Sequence, residues 1–358
     1  MLTAVRNGAE FIAETISSIQ AQTFKDWEYI IVDDGSDDQT VPLIEAASRS
    51  DRRLRLLRRK ESGGPFVAAN DGLREAQGNF IVRTDADDLS PVDRIERQLA
   101  FLASNRQYRA CISPWRSFNE RGLIPGSVTH IPTRQGVLRW YLLLRSFASH
   151  SSLCIERASL SALGGYQELR VGADFRLLCK LNRLHWVGVI PQVLSFVRRH
   201  KNRISTNMGA LQTETALETM HEHLEEVAGV DWSTEDLRAL WLTGHGFPTS
   251  LHTSENIVSK WDSLWRADVT LSDGERRELA QLSAYHRWQA FHVHMRQDPY
   301  NCGLAIAGWI LKSPTCVSPG FRYFASLLPS NRLGIQIGRR QESRWPIEVE
   351  SRNWKAPL

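Results

Sequence analysis

The chain lacks most of the features that assign a protein at a glance. Its five cysteines (Cys111, Cys154, Cys179, Cys302 and Cys316) are far apart and form no Cys-x-x-Cys pair. That excludes a zinc knuckle or a disulfide framework and fits reduced thiols. No apolar run reaches the ~20 residues that span a bilayer; Gly303 to Leu311 is about half that. Met1 to Arg6 meets a charge too soon for a secretory leader, so a cytoplasmic protein is expected. A net charge of +4 over 358 residues is small, and no nucleic-acid partner is expected. His221/His223 and His292/His294 stand at i, i+2, which on a helix points each pair apart, so neither reads as a metal site. There is no internal repeat and no low-complexity segment. With 42% hydrophobic and 23% charged residues, the composition is that of a folded globular chain.

What is present is an alternation of strand and helix patterns through the first half. Helical periodicity covers Glu10 to Gln22, with Phe11, Ile12, Thr15, Ile16 and Ile19 on one face. Apolar strand runs are expected at Trp27–Val32, Leu54–Leu57 and Phe80–Val82, with helices from about Asp38, over Phe66–Ala76 and over 91–103. Such β-α-β-α order predicts a mostly parallel, Rossmann-like α/β sheet covered by helices, with ligands beyond the carboxyl ends of the strands. Two acidic clusters lie at such ends: Asp33-Asp34 and Asp85-Ala86-Asp87-Asp88. One element is missing from this reading. Too few residues precede Asn7-Gly8 for a first strand, so the sheet is expected to be truncated there. The middle, about 108–206, has strands expected at Ala110–Ser113, Ser151–Ile155 and Val193–Arg198 and helices near Gln135–Leu144 and Asp174–Leu184. From about 210 the pattern becomes helical, with most of the tryptophans, and a weakly amphipathic stretch at 303–328. The expected division is therefore 1–209 and 210–358.

Three carboxylates at a strand exit are costly unless a cation neutralises them, and carboxylate oxygens suit Mg²⁺ or Mn²⁺. An Asp-x-Asp alone is a weak signal, but its company is specific. Asn7-Gly8, Gln22-Thr23-Phe24, the run Glu28 to Asp38, Asn70-Asp71-Gly72-Leu73, Ala76-Gln77-Gly78 and Asp85-Ala86-Asp87-Asp88 together resemble family 2 glycosyltransferases. The resemblance ends around Arg198–Ser205. It implies a GT-A fold, a nucleotide-diphosphate sugar donor, a divalent metal and inversion at the anomeric carbon. The implied acceptor is a glycan or lipid-linked glycan of bacterial surface polysaccharide assembly, with peripheral membrane contact on the inner face.

The resemblance also implies roles. Asp33 or Asp34 would accept hydrogen bonds from the donor's base or ribose, although Asp-Gly-Ser-Asp is also good turn chemistry. Asp87 is the expected metal ligand, with Asp85 on the metal or the ribose and Asp88 an anion for the next helix. The family's Glu-Asp pair after a Gly-Gly-Tyr turn reads Ala173-Asp174 here, so Asp174 is the candidate general base or, alternatively, a helix cap. His150 is a candidate on the acceptor side. Arg198 and His200 would contact the diphosphate or form a solvated basic end. The basic run Arg49 to Lys60 reads as a solvated strand face, or as attraction to anionic headgroups. The absent Glu and the absent first strand both favour a competing reading, a non-catalytic nucleotide-sugar-binding relative. A metal-dependent phosphohydrolase would need more ligands than the sequence shows.

Overall fold

The computed structural model describes residues 1–203, 208–247 and 249–297. Ser205 and the 303–328 stretch lie outside the described residues. The described residues pack as two compact units: 1–135 with 147–219, and 136–146 with 220–297.

In the first unit, β1 (Leu2–Val5), β2 (Tyr29–Asp33) and β3 (Leu54–Arg58) run parallel, with β1 against β2 and β2 against β3. A parallel bridge between Leu2 and Arg83 continues the sheet to β4 (Phe80–Val82). From β4 the order runs through β8 (Cys154–Glu156), β5 (Ala110–Ile112) and β9 (Val187–Val189). The full order, β3-β2-β1-β4-β8-β5-β9, puts β1 inside the sheet, between β2 and β4. The expected truncation is thereby corrected: the first strand exists and needs only four residues. Leu2 and Val5 are buried and Thr3 bonds to Tyr29 Oη at 2.8 Å. Four residues are too few to show a period, which is why the pattern hid the strand.

Helices α1 (Ile12–Gln20), α2 (Thr40–Ser50), α3 (Pro65–Glu75) and α4 (Arg94–Ser104) alternate with these strands. β2 is buried along its whole length, as a strand covered on both faces should be. Ile12, Ile16 and Ile19 of α1 enter the core with Tyr29, Ile31 and Ile44. A second sheet joins β6 (Trp115–Asn119) to β7 (Gly122–Val128) as a hairpin and to β10 (Ser195–Arg198) in parallel. The hairpin was not legible in the sequence. An antiparallel bridge, Leu89 to Phe196, ties β10 to the chain leaving β4. After α5 (Gln135–Tyr141), α6 (Arg157–Ala162) and α7 (Ala173–Arg183) complete this part.

The helical unit is built from α8 (Gly209–Ala228), whose first half packs in the other unit, with α9 (Thr234–His245), α10 (Leu251–Ala267) and α11 (Asp273–Gln297). Residues 136–146 belong to it as well, earlier in the chain than the sequence division at 209/210. Among its described residues Trp140, Trp232, Trp241, Trp261 and Trp265 are buried, and Trp261 Nε1 donates to the Trp140 carbonyl at 3.1 Å. No described helix is long and apolar enough to cross a membrane.

Candidate active site

Both acidic clusters lie at carboxyl ends of strands joined through β1. At the end of β2 the two aspartates have different surroundings. Asp34 is fully engaged: its carboxylate accepts from Ser62 Oγ at 2.7 Å and from the Gly63 and Gly64 amides at 2.9 Å each. It also pairs with Arg59 Nε at 2.9 Å. Asp33 accepts only from the Ser36 amide, at 3.3 Å, through Oδ2; its Oδ1 is buried with no partner. The sequence left the two interchangeable. The structure leaves open acceptor capacity on Asp33 and gives Asp34 to the loop before α3.

The basic run is largely consumed nearby. Arg53 pairs with Asp51 at 2.8 Å and lies over Trp27, Arg55 pairs with Glu28 at 2.9 Å and with Glu75 at 3.3 Å, and Arg59 bridges Asp34 and Asp71.

At the end of β4 the backbone leaves through Arg83. This arginine is 2% exposed, and its Nη1 donates to the Leu2 carbonyl at 2.7 Å. Its Nη2 faces Asp85 Oδ1 at 3.2 Å and its Nε faces His150 Nε2 at 3.2 Å. His150 Nε2 in turn lies 2.8 Å from Tyr166 Oη. Burial, then the charges of Arg83 and Arg94, holds the His150 ring well below the usual imidazole range, so it is neutral. Arg83 and Tyr166 carried no role in the sequence reading. The available signal was a lone cation between an apolar strand and three carboxylates.

Asp87 sits part-exposed, with Oδ2 2.8 Å from His200 Nε2. Asp88 is not a helix-start residue, because α4 begins at Arg94; it is buried, and its Oδ1 accepts the Arg198 amide at 3.0 Å. Burial first, then the charges of Asp87 and Asp85, holds the Asp88 carboxyl well above the usual range. Asp85 is raised too: crowding by surrounding protein leads, Arg83 opposes and Asp87 adds, although its side chain keeps 44% of its surface exposed.

Arg198 departs from expectation. Its side chain is 8% exposed, pairs with Glu14 at 2.7 Å and donates through Nε to the Asp87 carbonyl at 2.9 Å. Phe11 and Phe118 sandwich it at 4.6 and 4.5 Å. With those partners the guanidinium fixes the Asp87 backbone.

Asp174 lies in the first turn of α7, behind Gly172 at the cap position, so it is not the helix cap. Its neighbours in charge are Asp85 and Arg83, and Tyr166 feels both Asp174 and Asp85. The two acidic signals, nearly ninety positions apart in sequence, thus lie within electrostatic reach of one another. Burial, reinforced by Asp85, pushes the Asp174 carboxyl up to about 6. The Gly-Gly-Tyr turn before it is anchored to α3 by Asn70, whose Nδ2 donates to the Tyr166 carbonyl and whose Oδ1 accepts the Tyr166 amide, both at 2.8 Å. Gly165 has φ +75°, and a Cβ there would strike Asn70 Oδ1. Two separate sequence signals, Asn70 and Gly164-Gly165-Tyr166, are therefore one device.

A divalent cation suits this donor set. Asp85 and Asp87 supply hard oxygens, and the raised carboxyls of Asp85 and Asp88 trace in part to repulsion that a cation would relieve. Among the described residues no group of three or more His, Cys, Asp or Glu is arranged to hold a metal ion by itself. A site of that kind shares its cation with waters and phosphate oxygens, as Mg²⁺ commonly requires.

Residues 2–162 match the sequence model of "Glycosyl transferase family 2". The chain is 30% identical to EpsE of Bacillus subtilis over 172 residues, which cover 48% of this chain and 60% of EpsE. It is 26% identical over 239 residues to an uncharacterized glycosyltransferase of Haemophilus influenzae, covering 63% of this chain and 72% of that one. It is 32% identical over 96 residues to the glycosyltransferase GlyG of Streptococcus pneumoniae, covering 27% of this chain and 32% of GlyG. The chain thus spans less than two thirds of the length of EpsE and GlyG. Among solved structures, S. aureus TarS 1–349 in complex with UDP-GlcNAc superposes with a TM-score of 0.55 at 18% identity, covering 83% of this chain and 91% of that one. That likeness shows the GT-A fold. The likeness to glycosyl transferase family 2 runs through residues 2–162.

Proposed function

We propose that the protein transfers a single sugar from a nucleotide-diphosphate donor to a hydroxyl of a glycan or lipid-linked glycan, with inversion, in bacterial surface polysaccharide assembly. The observation that carries this reading is that Asp85, beyond the end of β4, acts on Asp174, whose carboxyl stands at about 6. A carboxylate poised there is largely ionised at neutral pH and a better base than an ordinary aspartate.

Asp174 takes the proton of the acceptor hydroxyl as its oxygen bonds to the anomeric carbon. The bond from that carbon to the diphosphate oxygen breaks, and the nucleoside diphosphate leaves. Asp87, with Asp85 beside it, would hold a Mn²⁺ or Mg²⁺ ion, which supplies charge neutralisation for the diphosphate. His200 and Arg198 hold Asp87 by side chain and by backbone. Asp33 Oδ1 is the free acceptor for a donor N–H or ribose O–H, because Asp34 has no capacity left. Arg83, His150 and Tyr166 are joined by hydrogen bonds beside Asp85, and His150 is the candidate for the acceptor side. The TarS structure contains UDP-GlcNAc, which supports a nucleotide sugar as donor.

Incubation with a panel of nucleotide sugars and Mn²⁺ should release nucleoside diphosphate, and Asp174→Asn should stop that release while nucleotide binding persists. Binding with no release from the unaltered chain would favour the non-catalytic relative instead.

A further inference from the structure

The helical unit contains polar side chains that nothing in glycosyl transfer uses. His286, on α11, is 0% exposed, and neither ring nitrogen has a hydrogen-bond partner. One turn on, Gln289 has a buried Oε1 without a partner, and Arg145 has a buried Nε in the same condition. Buried polar groups are paired in native folds, so three such side chains together mark a place where another group supplies the bonds.

These residues form one neighbourhood. Tyr141 contacts the His286 ring at 5.9 Å between centroids and is hydrogen-bonded by Arg145. His245, at the end of α9, acts on His286 and is itself acted on by Arg145. Gly246 follows it, so close to the Gln289 amide that a Cβ could not be added. His286 is buried, Arg145, His245 and Gln289 are part-exposed, and Phe247 and Tyr285, 54% and 36% exposed, lie against the His245 and His286 rings.

The charge is of one sign. The side chains acting on His286 are Arg145 and His245, and on His245 the Arg145 charge again, with no carboxylate among them. His245 Nδ1 is occupied by the Trp241 carbonyl at 2.9 Å, which leaves its other nitrogen. A guanidinium, the nitrogens of two neutral rings and an amide suit a tetrahedral oxyanion that both accepts and donates.

We propose that Arg145, His245, His286 and Gln289 form a phosphate-binding site in the helical unit. It shares no residue with the site of the proposed transfer. The ligand is a phosphate group, free or carried as an ester on a polyol.

The test is to label the histidine rings of the full chain with ¹³C and titrate inorganic phosphate and, separately, glycerol 3-phosphate. Ring signals of His286 and His245 should move saturably with at least one of the two. Response to glycerol 3-phosphate alone identifies an ester, and response to both identifies the phosphate group itself. Arg145→Gln should weaken binding about tenfold or more. Asp87→Asn should leave it unchanged, which separates this site from the nucleotide site. Because Arg145→Gln can disturb folding, His286→Phe is the second variant. It removes two unpaired nitrogens, should melt no lower than the unaltered chain, and should lose the phosphate response read at His245. No movement with either compound, or equal binding in both variants, overturns the proposal.

Discussion

The carboxyl ends of β2 and β4 each carry adjacent acidic residues, and the fold treats them alike. At β2, Asp34 is consumed by Ser62, Gly63, Gly64 and Arg59, while Asp33 keeps a buried oxygen with no partner. At β4, Asp88 is consumed by the Arg198 amide, while Asp85 and Asp87 stay part-exposed. In each cluster one carboxylate fastens the loop and its neighbour is left with capacity. The ends differ in what opposes the charge. A guanidinium neutralises the fastening aspartate at β2, whereas at β4 the carboxyls of Asp85 and Asp88 sit high because acidic neighbours add to burial. The first arrangement suits uncharged donor groups of a nucleoside. The second calls for a cation.

The comparison can be broken by substitution. The largest effect is expected outside both clusters, at the group they serve: Asp174→Asn should lower kcat by roughly 10²–10⁴-fold, measured as nucleoside diphosphate release. Its melting temperature at pH 8 should not fall. A carboxyl raised to about 6 in the fold stabilises it at low pH, and that contribution is lost as pH rises through 6, so an amide loses nothing above it. Next, His200→Ala frees Asp87 from its one side-chain partner and should weaken Mn²⁺ affinity by about 10–100-fold, read by titration of metal-dependent activity. Asp33→Asn should weaken nucleoside diphosphate binding by about tenfold in calorimetry, with stability unchanged. Asp34→Ala should have the smallest effect on activity but lower stability by about 1–3 kcal/mol in denaturant unfolding, because Ser62, Gly63 and Gly64 lose their acceptor. If Asp33 and Asp34 exchange these phenotypes, the division of labour at β2 is wrong.

Much of this was legible in the sequence because strands such as Tyr29–Asp33 are continuous apolar runs bounded by Asp and Gly. β1 was not, since Leu2–Val5 is shorter than any period and takes its identity from pairing with Ile30 to Asp33. The hairpin β6–β7 was hidden because Trp115-Arg116-Ser117-Phe118 has no clean alternation, its strands being sorted by Arg198 and Arg199 packing over Phe118 and Trp115. Within the site, residue types were readable and partners were not. Nothing local distinguishes Asp33 from Asp34, or marks Arg198 as bound by Glu14. Those assignments come from residues more than twenty positions away, brought close only by the fold.

The central claim is that Asp174 is a base tuned by burial and by Asp85. The direct measurement is the pH dependence of kcat/KM for the unaltered protein and for Asp174→Asn. The account predicts an acid limb inflecting near pH 6, rising tenfold per pH unit below it, and missing from the residual activity of the variant. The same limb in Asp174→Asn, or an inflection near pH 4 in the unaltered protein, would contradict it.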